Sequence, residues 1–398
     1  MRSLFNENRA IGQAPIVNRQ QLIVNRQSSV VNCNASLRVV FAGGGTGGHV
    51  YLGIALAREL LSRDSGREML FIGTERGMES RILPSEGFRV AFIVSRGLKR
   101  VGVADLFRNL FLIPGSLLQS RRLLSGFRPD AVVGVGGYSS GPVVLAAWLL
   151  RLPTMIVEPN AYPGLTNRLL ARFIDRAALA MPAAGGCFGS RGVVTGIPVR
   201  PEFRSMPDRD HGPGSITVLV YGGSQGSHAL NSILCDALPA LKQLGPGLKV
   251  IHQTGDREIE VVRSAYAQSG VDADVRPFLP RIYEEYAEAD LIISRAGAGT
   301  VAEITAAGRA AILVPFPGAA DDHQTRNASA LAEAGAAVQI AESDLRSGRL
   351  AEEVRQLMEH PEKLRKMEAA SRSLAKPDAA ARIADLIEGL ASRRCSVT

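Results

Sequence analysis

The chain has 398 residues, of which 46% are hydrophobic and 21% charged, and carries a net charge of +8. That length favours two or more domains, each large enough for its own core, and the composition is ordinary for a soluble globular chain. The charge points to an anionic partner (nucleic acid, anionic lipid or a nucleotide sugar), or to no more than a solvated basic surface. Four scattered cysteines without a C-x-x-C pair, and six histidines without an H-x-x-x-H pair, indicate neither a disulfide framework nor a zinc site and fit a reducing cytoplasm.

Residues 1–36 repeat Ile-Val-Asn-Arg-Gln amid polar residues and read as a disordered tail or the product of a start codon placed too early. They lack the basic start and apolar core of a secretory signal. The longest clean apolar run, Val143 to Leu150, is far shorter than a spanning helix, so no membrane crossing is expected.

From Leu37 onward apolar strands alternate with helical stretches. Strands are expected at Arg38 to Ala42, Met69 to Ile72, Val90 to Val94, Ala131 to Val135, Thr154 to Val157 and Ala177 to Ala180. Such continuous apolar strands belong to a parallel sheet covered on both faces. The first runs into Val39 to His49, VVFAGGGTGGH, and a helix over Val50 to Ser62. Glycines allow the backbone to approach a ligand closely, and the helix start favours an anion such as a diphosphate. The G-x-G-x-x-G spacing is a weak signal, equally met by a tight turn with no ligand. A nicotinamide or flavin enzyme would carry an acid at the end of the second strand, whereas this strand ends in Gly73 and Thr74, and Asp64 precedes it. No Gly-Lys-Ser/Thr follows, which excludes a P-loop.

After a proline-punctuated link through Pro201, Pro207 and Pro213 the scheme restarts, with strands at Ser215 to Tyr221, Lys249 to His252, Asp274 to Phe278, Leu291 to Ser294 and Ala311 to Val314, and a helix over Ala229 to Leu241. The expected fold class is α/β: two Rossmann-like, doubly wound parallel-sheet domains facing across a cleft, with ligands at the carboxyl ends of the strands. The expected boundaries are a tail over 1–36, a first domain over 37–198, a second over 199–376, and a closing helix and tail over 377–398. Helices over Glu342 to Leu374 and Asp378 to Ala391 would pack back across the junction.

The segment SRAGAGTVAEITAAGRAAILVPFPGAADDHQTRN, Ser294 to Asn327, is densest in candidate chemistry. A small-residue turn opens a second helix start suited to an anion. Glu303 could accept two hydrogen bonds from a ribose diol, or simply complement the helix dipole. Asp321 and Asp322 could be caps, and Gln324 offers both a donor and an acceptor to sugar hydroxyls.

Five ordered motifs, Gly43-Gly44-Gly45-Thr46-Gly47-Gly48-His49, Gly136-Gly137-Tyr138-Ser139-Ser140-Gly141-Pro142, Gly222-Gly223-Ser224-Gln225-Gly226, Gly297-Ala298-Gly299-Thr300-Val301-Ala302-Glu303 and Asp322-His323-Gln324-Thr325-Arg326-Asn327, resemble those of the bacterial MurG family over about residues 37–391. The resemblance implies a GT-B glycosyltransferase moving N-acetylglucosamine (GlcNAc) from UDP-GlcNAc to the muramyl 4-hydroxyl of lipid I, with inversion, to give lipid II for peptidoglycan. It also implies that Glu303 meets the ribose, Ser224 the α-phosphate and Arg200 the diphosphate. The backbone near Leu279 would read uracil, and Ala298, Gly299, Thr300, Val301 and Ala302 would meet sugar and phosphates from the helix end. Asn160 and Gln324 would hold the GlcNAc hydroxyls, while Thr46, Gly47, Gly48 and His49 come from the opposite domain. Tyr138, Ser139, Glu158 and His323 are candidates for the acceptor side or for supporting contacts. Where many relatives have His-Glu-Gln-Asn, this chain has Val157-Glu158-Pro159-Asn160, which leaves the placement of Asn160 open.

His49 is the candidate general base, with a phosphate ligand or a structural helix-start residue as its other readings. No acidic D-x-D suggests a metal on the diphosphate, so no obligatory cofactor is expected and a divalent cation is left as a stimulant. The implied acceptor is a lipid, which places the enzyme peripherally on the cytoplasmic face of the bacterial inner membrane, in contact with anionic lipid and with other cell-wall synthesis proteins, and not with nucleic acid. Leu106, Leu110, Ile113 and Leu117, flanked by Lys99, Arg100, Arg108, Arg121 and Arg122, could meet that surface or face the core. Pro114 is expected to break the helix there. A same-fold transferase with another lipid acceptor, a dinucleotide oxidoreductase, and a nucleotide-sugar-binding scaffold are the alternatives.

Overall fold

The computed structural model describes residues 36–95, 103–212, 214–223 and 225–395, apart from the side chains of 103–111, 394 and 395. The tail, Leu98 to Arg100, Pro213 and Ser224 therefore lie outside the described residues. The first half runs β1 (Arg38–Gly43), α1 (Gly47–Arg63), β2 (Glu68–Gly73), α2 (Glu79–Ser85), β3 (Arg89–Phe92), α3 (Val103–Phe127), β4 (Ala131–Gly136), α4 (Ser140–Leu149), β5 (Thr154–Glu158), α5 (Leu165–Leu170), β6 (Arg176–Leu179) and β7 (Gly192–Val194). Its strands are parallel in the order β3-β2-β1-β4-β5-β6-β7.

The second half continues with β8 (Ile216–Tyr221), α6 (His228–Lys242), β9 (Leu248–Gln253), α7 (Ile259–Ser269), β10 (Asp272–Arg276), α8 (Ile282–Glu288), β11 (Leu291–Ser294), α9 (Ala298–Ala307), β12 (Ala310–Leu313), α10 (His323–Glu333), β13 (Ala337–Gln339), α11 (Ser347–Glu359), α12 (Pro361–Leu374) and α13 (Ala379–Cys395). Its sheet is also parallel, in the order β10-β9-β8-β11-β12-β13.

The central strands of each sheet are buried on both faces, as their unbroken apolar runs require. In β1, Val39 and Phe41 enter one core and Val40 and Ala42 another. In β8, Val218 and Val220 face one way and Leu219 and Tyr221 the other. Strand order reverses at β1/β4 and at β8/β11, so the loops after these four strands are where ligands of such sheets bind.

The last helix does not stay with the half that precedes it. Ile383, Ala384, Ile387 and Leu390 of α13 share a core with Val39, Phe41, Leu56 and Leu60. Arg63 Nη1 lies 2.7 Å from Asp385 and Arg67 Nη1 lies 2.6 Å from Glu388.

Three sequence expectations change. The helix over Val103–Phe127 is continuous through Pro114. A proline costs one ladder bond, and this long helix is held by its packing along α4, with Leu124 and Phe127 buried. Leu117 packs on that core and Ile113 lines the cleft, while Leu118 faces outward. The expected single helix over Glu342 to Leu374 is two, because Pro361 starts a new one at its first position. β7 and β13, three residues each, are edge strands too short to give a periodic signal.

Candidate active site

One cavity of about 1700 Å³ lies between the halves. On the first side, the loops after β1 and β4 interlock, with Gly44 N–H donating to the Gly136 carbonyl at 3.2 Å. Beneath them sits the fully buried Glu79. Its carboxylate accepts from Gly45 N–H (2.7 Å), Thr74 N–H (2.8 Å) and the Thr74 hydroxyl (2.9 Å). Gly44 is the residue this arrangement permits, since a Cβ there would lie 2.2 Å from the Glu79 carboxyl carbon. Asp64, at the end of α1, takes no part.

His49 projects from the first turn of α1, its Nδ1 3.0 Å from the Thr46 hydroxyl. Its ring lies against Gly136, where a Cβ would come within 2.7 Å of Nε2. Burial holds its pKa below the ordinary 6.5. The Gly44 backbone and Glu79 oppose that shift, and His323 across the cleft adds to it. A neutral imidazole at the mouth of a glycine loop can accept a proton.

On the second side, β11 ends at Ser294, and Gly297 opens α9 without a side-chain cap, which leaves first-turn N–H groups for a ligand. Glu303 lies in the second turn, its Oε1 3.3 Å from Arg200 Nη2. It is therefore not a first-turn acid serving only the dipole. Burial raises its pKa, and Arg200 counteracts this. Arg200 also stacks over the rings of Phe203 and Tyr283, at 4.9 and 5.8 Å.

The Gln324 side-chain oxygen accepts from Ala296 N–H (3.2 Å) and Phe316 N–H (3.0 Å), so its amide NH₂ is the group left for a ligand. Asp321 and Asp322 do not cap α10 through their side chains. Both take left-handed φ angles of 56° and 53°, Asp322 Oδ1 accepts from Thr325 Oγ1 at 2.6 Å, and Asp321 reaches Arg168 at 3.5 Å.

A buried polar chain joins the two sides. Glu158 accepts from the Asn160 backbone N–H (3.0 Å) and side-chain Nδ2 (3.2 Å), Gly164 N–H (3.1 Å) and Asn167 Nδ2 (2.8 Å). Burial still raises its pKa against these four donors. Asn160 Oδ1 in turn accepts from Asn327 Nδ2 at 3.2 Å. Asn327, fully buried, also takes Ala161 N–H on its Oδ1 at 2.8 Å and donates to the Ala296 carbonyl at 3.1 Å. Asn160 is thus held on both sides of its amide despite Pro159.

Of the residues singled out in the sequence, Thr46, Gly48, His49, Tyr138, Glu158 and Asn160 line the cavity from the first half. Arg200, Ala298, Gly299, Thr300, Glu303 and His323 line it from the second. Gly47, Ser139, Leu279, Val301, Ala302 and Gln324 are not among its lining residues, Gly47 and Gln324 being half-buried. Leu279 and Val301 are in the second-half core, Ala302 packs with Ala298 on the first-half core, and Ser139 is buried. Ser224 lies outside the described residues.

Three organising residues carried no role in the sequence reading. Glu79 acts on a loop 34 positions away, a separation that no local pattern reveals. Arg295 is buried after β11 and donates to Ser227 Oγ (3.1 Å) and to the Val314 and Pro315 carbonyls (both 3.2 Å), tying three loops together. Its signal was a lone arginine in a small-residue turn. Asn327 stood in a motif, but two of its partners, Asn160 and Ala161, lie across the cleft. Among the described residues no three His, Cys, Asp or Glu side chains gather as a metal cage.

Residues 39–179 match the glycosyltransferase family 28 N-terminal domain, and residues 217–383 match its C-terminal domain. The chain belongs to glycosyltransferase family 28. A family 28 relative from Anaeromyxobacter sp. (strain Fw109-5) is 49% identical over 90% of this chain and 94% of its own. One from Syntrophus aciditrophicus (strain SB) is 47% identical over 88% and 98%. Both are named UDP-N-acetylglucosamine--N-acetylmuramyl-(pentapeptide) pyrophosphoryl-undecaprenol N-acetylglucosamine transferase. The crystal structure of Acinetobacter baumannii MurG superposes with a TM-score of 0.75 at 35% identity, over 89% of this chain and 99% of that one. These likenesses place the chain in the MurG family, with the GT-B architecture of two facing parallel-sheet domains. A UDP-GlcNAc 2-epimerase from Neisseria meningitidis, at 14% identity and a TM-score of 0.61, shares the fold.

Proposed function

We propose that this enzyme transfers GlcNAc from UDP-GlcNAc to the muramyl 4-hydroxyl of undecaprenyl-pyrophosphoryl-MurNAc-pentapeptide, giving lipid II. The observation that carries this reading is that motifs from both sheets converge on one cavity, with a neutral histidine on one side and an uncapped helix start with a carboxylate on the other. At about 1700 Å³, that cavity exceeds the roughly 300–1000 Å³ usual for one small ligand and has room for a nucleotide sugar and an acceptor headgroup.

In this reading Glu303 receives the ribose hydroxyls and the α9 start takes the diphosphate, with Arg200 beside it and Ser224 on the α-phosphate. The Gln324 NH₂ and Asn160 hold the GlcNAc, and the backbone at Leu279 meets uracil. The acceptor oxygen attacks the anomeric carbon and its proton passes to His49. The bond to UDP breaks with its electron pair leaving on the diphosphate, and configuration inverts. Preorganised dipoles at the helix start stabilise the departing charge. No obligatory metal takes part, a divalent cation at most stimulating turnover, and complete loss of activity on chelation would contradict this.

The enzyme works peripherally at the cytoplasmic face of the bacterial inner membrane, alongside other cell-wall synthesis proteins, in a pathway that serves cell shape and division. Exposed Trp148, Leu149 and Leu169, with Leu118 near exposed Arg121 and Arg122, support the first half as the membrane side. No helix among the described residues is long and apolar enough to cross a membrane. The deciding experiment incubates the purified protein with UDP-GlcNAc, with and without a lipid I analogue. Acceptor-dependent UDP release and a disaccharide lipid are expected. UDP release without that lipid product overturns the acceptor, and no turnover overturns the reading.

A further inference from the structure

Beyond the substrate-facing residues, a cluster at the edge of the cleft joins the halves without belonging to either glycine loop. Tyr162, in the connection after β5, lies between two guanidinium groups: Arg168 of α5 stands 4.9 Å from its ring centroid and Arg326 of α10 stands 4.2 Å from it. Arg168 Nη1 donates to the Tyr162 hydroxyl at 2.6 Å, and Arg168 Nη2 lies 3.5 Å from Asp321 Oδ1. Two residues of the first half therefore interdigitate with two of the second. Arg168 and Asp321 are largely shielded, with side chains 30% and 17% exposed. A pair in such a setting is screened less than a surface pair.

The loop reached by this contact matters. Asp321 and Asp322 are consecutive non-glycine residues in the left-handed region, a conformation that persists only where surrounding contacts hold it. They lead directly into His323, which faces His49, and Gln324, whose oxygen gathers the ends of two loops. The buried Asn160–Asn327 bond crosses the same side of the cleft. Parting the halves removes the Arg168 contact to Asp321.

We propose that Arg168, braced by Tyr162 and Arg326, is a positioning residue: through Asp321 it holds the 316–324 loop in its left-handed course, so that His323 and Gln324 are set for the sugar only when the cleft is shut. The assignment rests on the transferase reading for what the loop does, but not for how the loop is held.

The test uses the full-length protein as Arg168→Glu, Asp321→Arg and the double exchange. Amide hydrogen exchange of residues 316–324 and steady-state GlcNAc transfer are measured in each. Faster exchange is expected in both single variants, with kcat lower by about tenfold, the scale of a small misplacement of a positioned group. The double exchange is expected to recover protection and at least part of kcat, while thermal unfolding shows all four proteins folded. Unchanged exchange in the single variants, or no recovery in the folded double variant, overturns the proposal. So does a kcat that stays at wild type while only the melting temperature falls, because the pair is then structural alone. Absence of transfer by the wild type would overturn the function proposed above instead, and the exchange pattern would still decide whether the loop is latched.

Discussion

The two sides of the cleft are built on one plan, and the groups buried behind their glycine-rich turns carry opposite charges. In the first half the buried ionic groups at the cleft are carboxylates. Glu79 collects N–H groups of the glycine loop and Glu158 those of the connection after β5. Behind the turn that opens α9 the buried group is a cation, Arg295, which collects the Val314 and Pro315 carbonyls, while the carboxylate of this half, Glu303, faces the cavity beside Arg200. Arg295 also donates to Ser227 Oγ and pairs with Glu342, so one side chain ties the ends of β11 and β12 to the loop after β8. A carboxylate beneath a loop opposes a second anion there, while guanidinium groups that occupy carbonyls leave helix-start N–H groups for one. The same strand-glycine-helix unit is therefore preset for different partners by what lies behind it.

The sharpest way to break the comparison is His49→Ala, which removes the proton acceptor proposed for the first half's loop. Loss of kcat by roughly 10²–10⁴-fold with little change in donor KM is expected in stopped-time assays of lipid product. Because burial holds the His49 pKa down, the wild-type enzyme should keep its base free to a pH below 6.5, and the acid limb of kcat/KM should lie there and vanish in the variant. Glu303→Ala tests the other side. Loss of roughly 10²-fold in kcat/KM, mostly in donor KM, is expected, while a variant indistinguishable from wild type would remove Glu303 from the ribose. Glu79→Ala touches no substrate and should lower kcat about tenfold, since Gly45 and Thr74 lose a shared acceptor. Weaker acceptor binding with unaltered donor binding would confine that effect to the first half.

The last effect is on stability and lies away from the cleft. His211 is buried in the second half between Asp290 (3.1 Å) and Glu368 (3.0 Å), and these carboxylates push its pKa to about 9 against the cost of burial. A folded-state value above the unfolded 6.5 means that the stabilisation is complete below pH 6.5 and is lost as pH rises through about 9. Melting curves from pH 6 to 10 should show a fall worth up to about 3 kcal/mol, flattened in His211→Gln.

Much of this was legible in the sequence. Strand positions followed from unbroken apolar runs, and His49, Glu303 and Gln324 stood out because each borders a glycine-rich or proline-stopped turn. What the chain order hid was physical distance. Glu79 meets Gly45, Asn327 meets Asn160, and Arg168 meets Asp321 only because the sheets bring remote loops together. Pro114 misled for the complementary reason, since a local rule about one missing N–H was outweighed by packing along the rest of α3.

Because α13 completes the core beneath β1, the first half is unfinished until α13 has left the ribosome. Val39 and Phe41 of β1 wait for partners more than three hundred positions later, Ile383 and Ile387. An early sheet left partly bare through the making of the second one exposes apolar surface for that entire interval. Nascent chains cut just before residue 379 should therefore hold a folded second half and a first half that recruits chaperones.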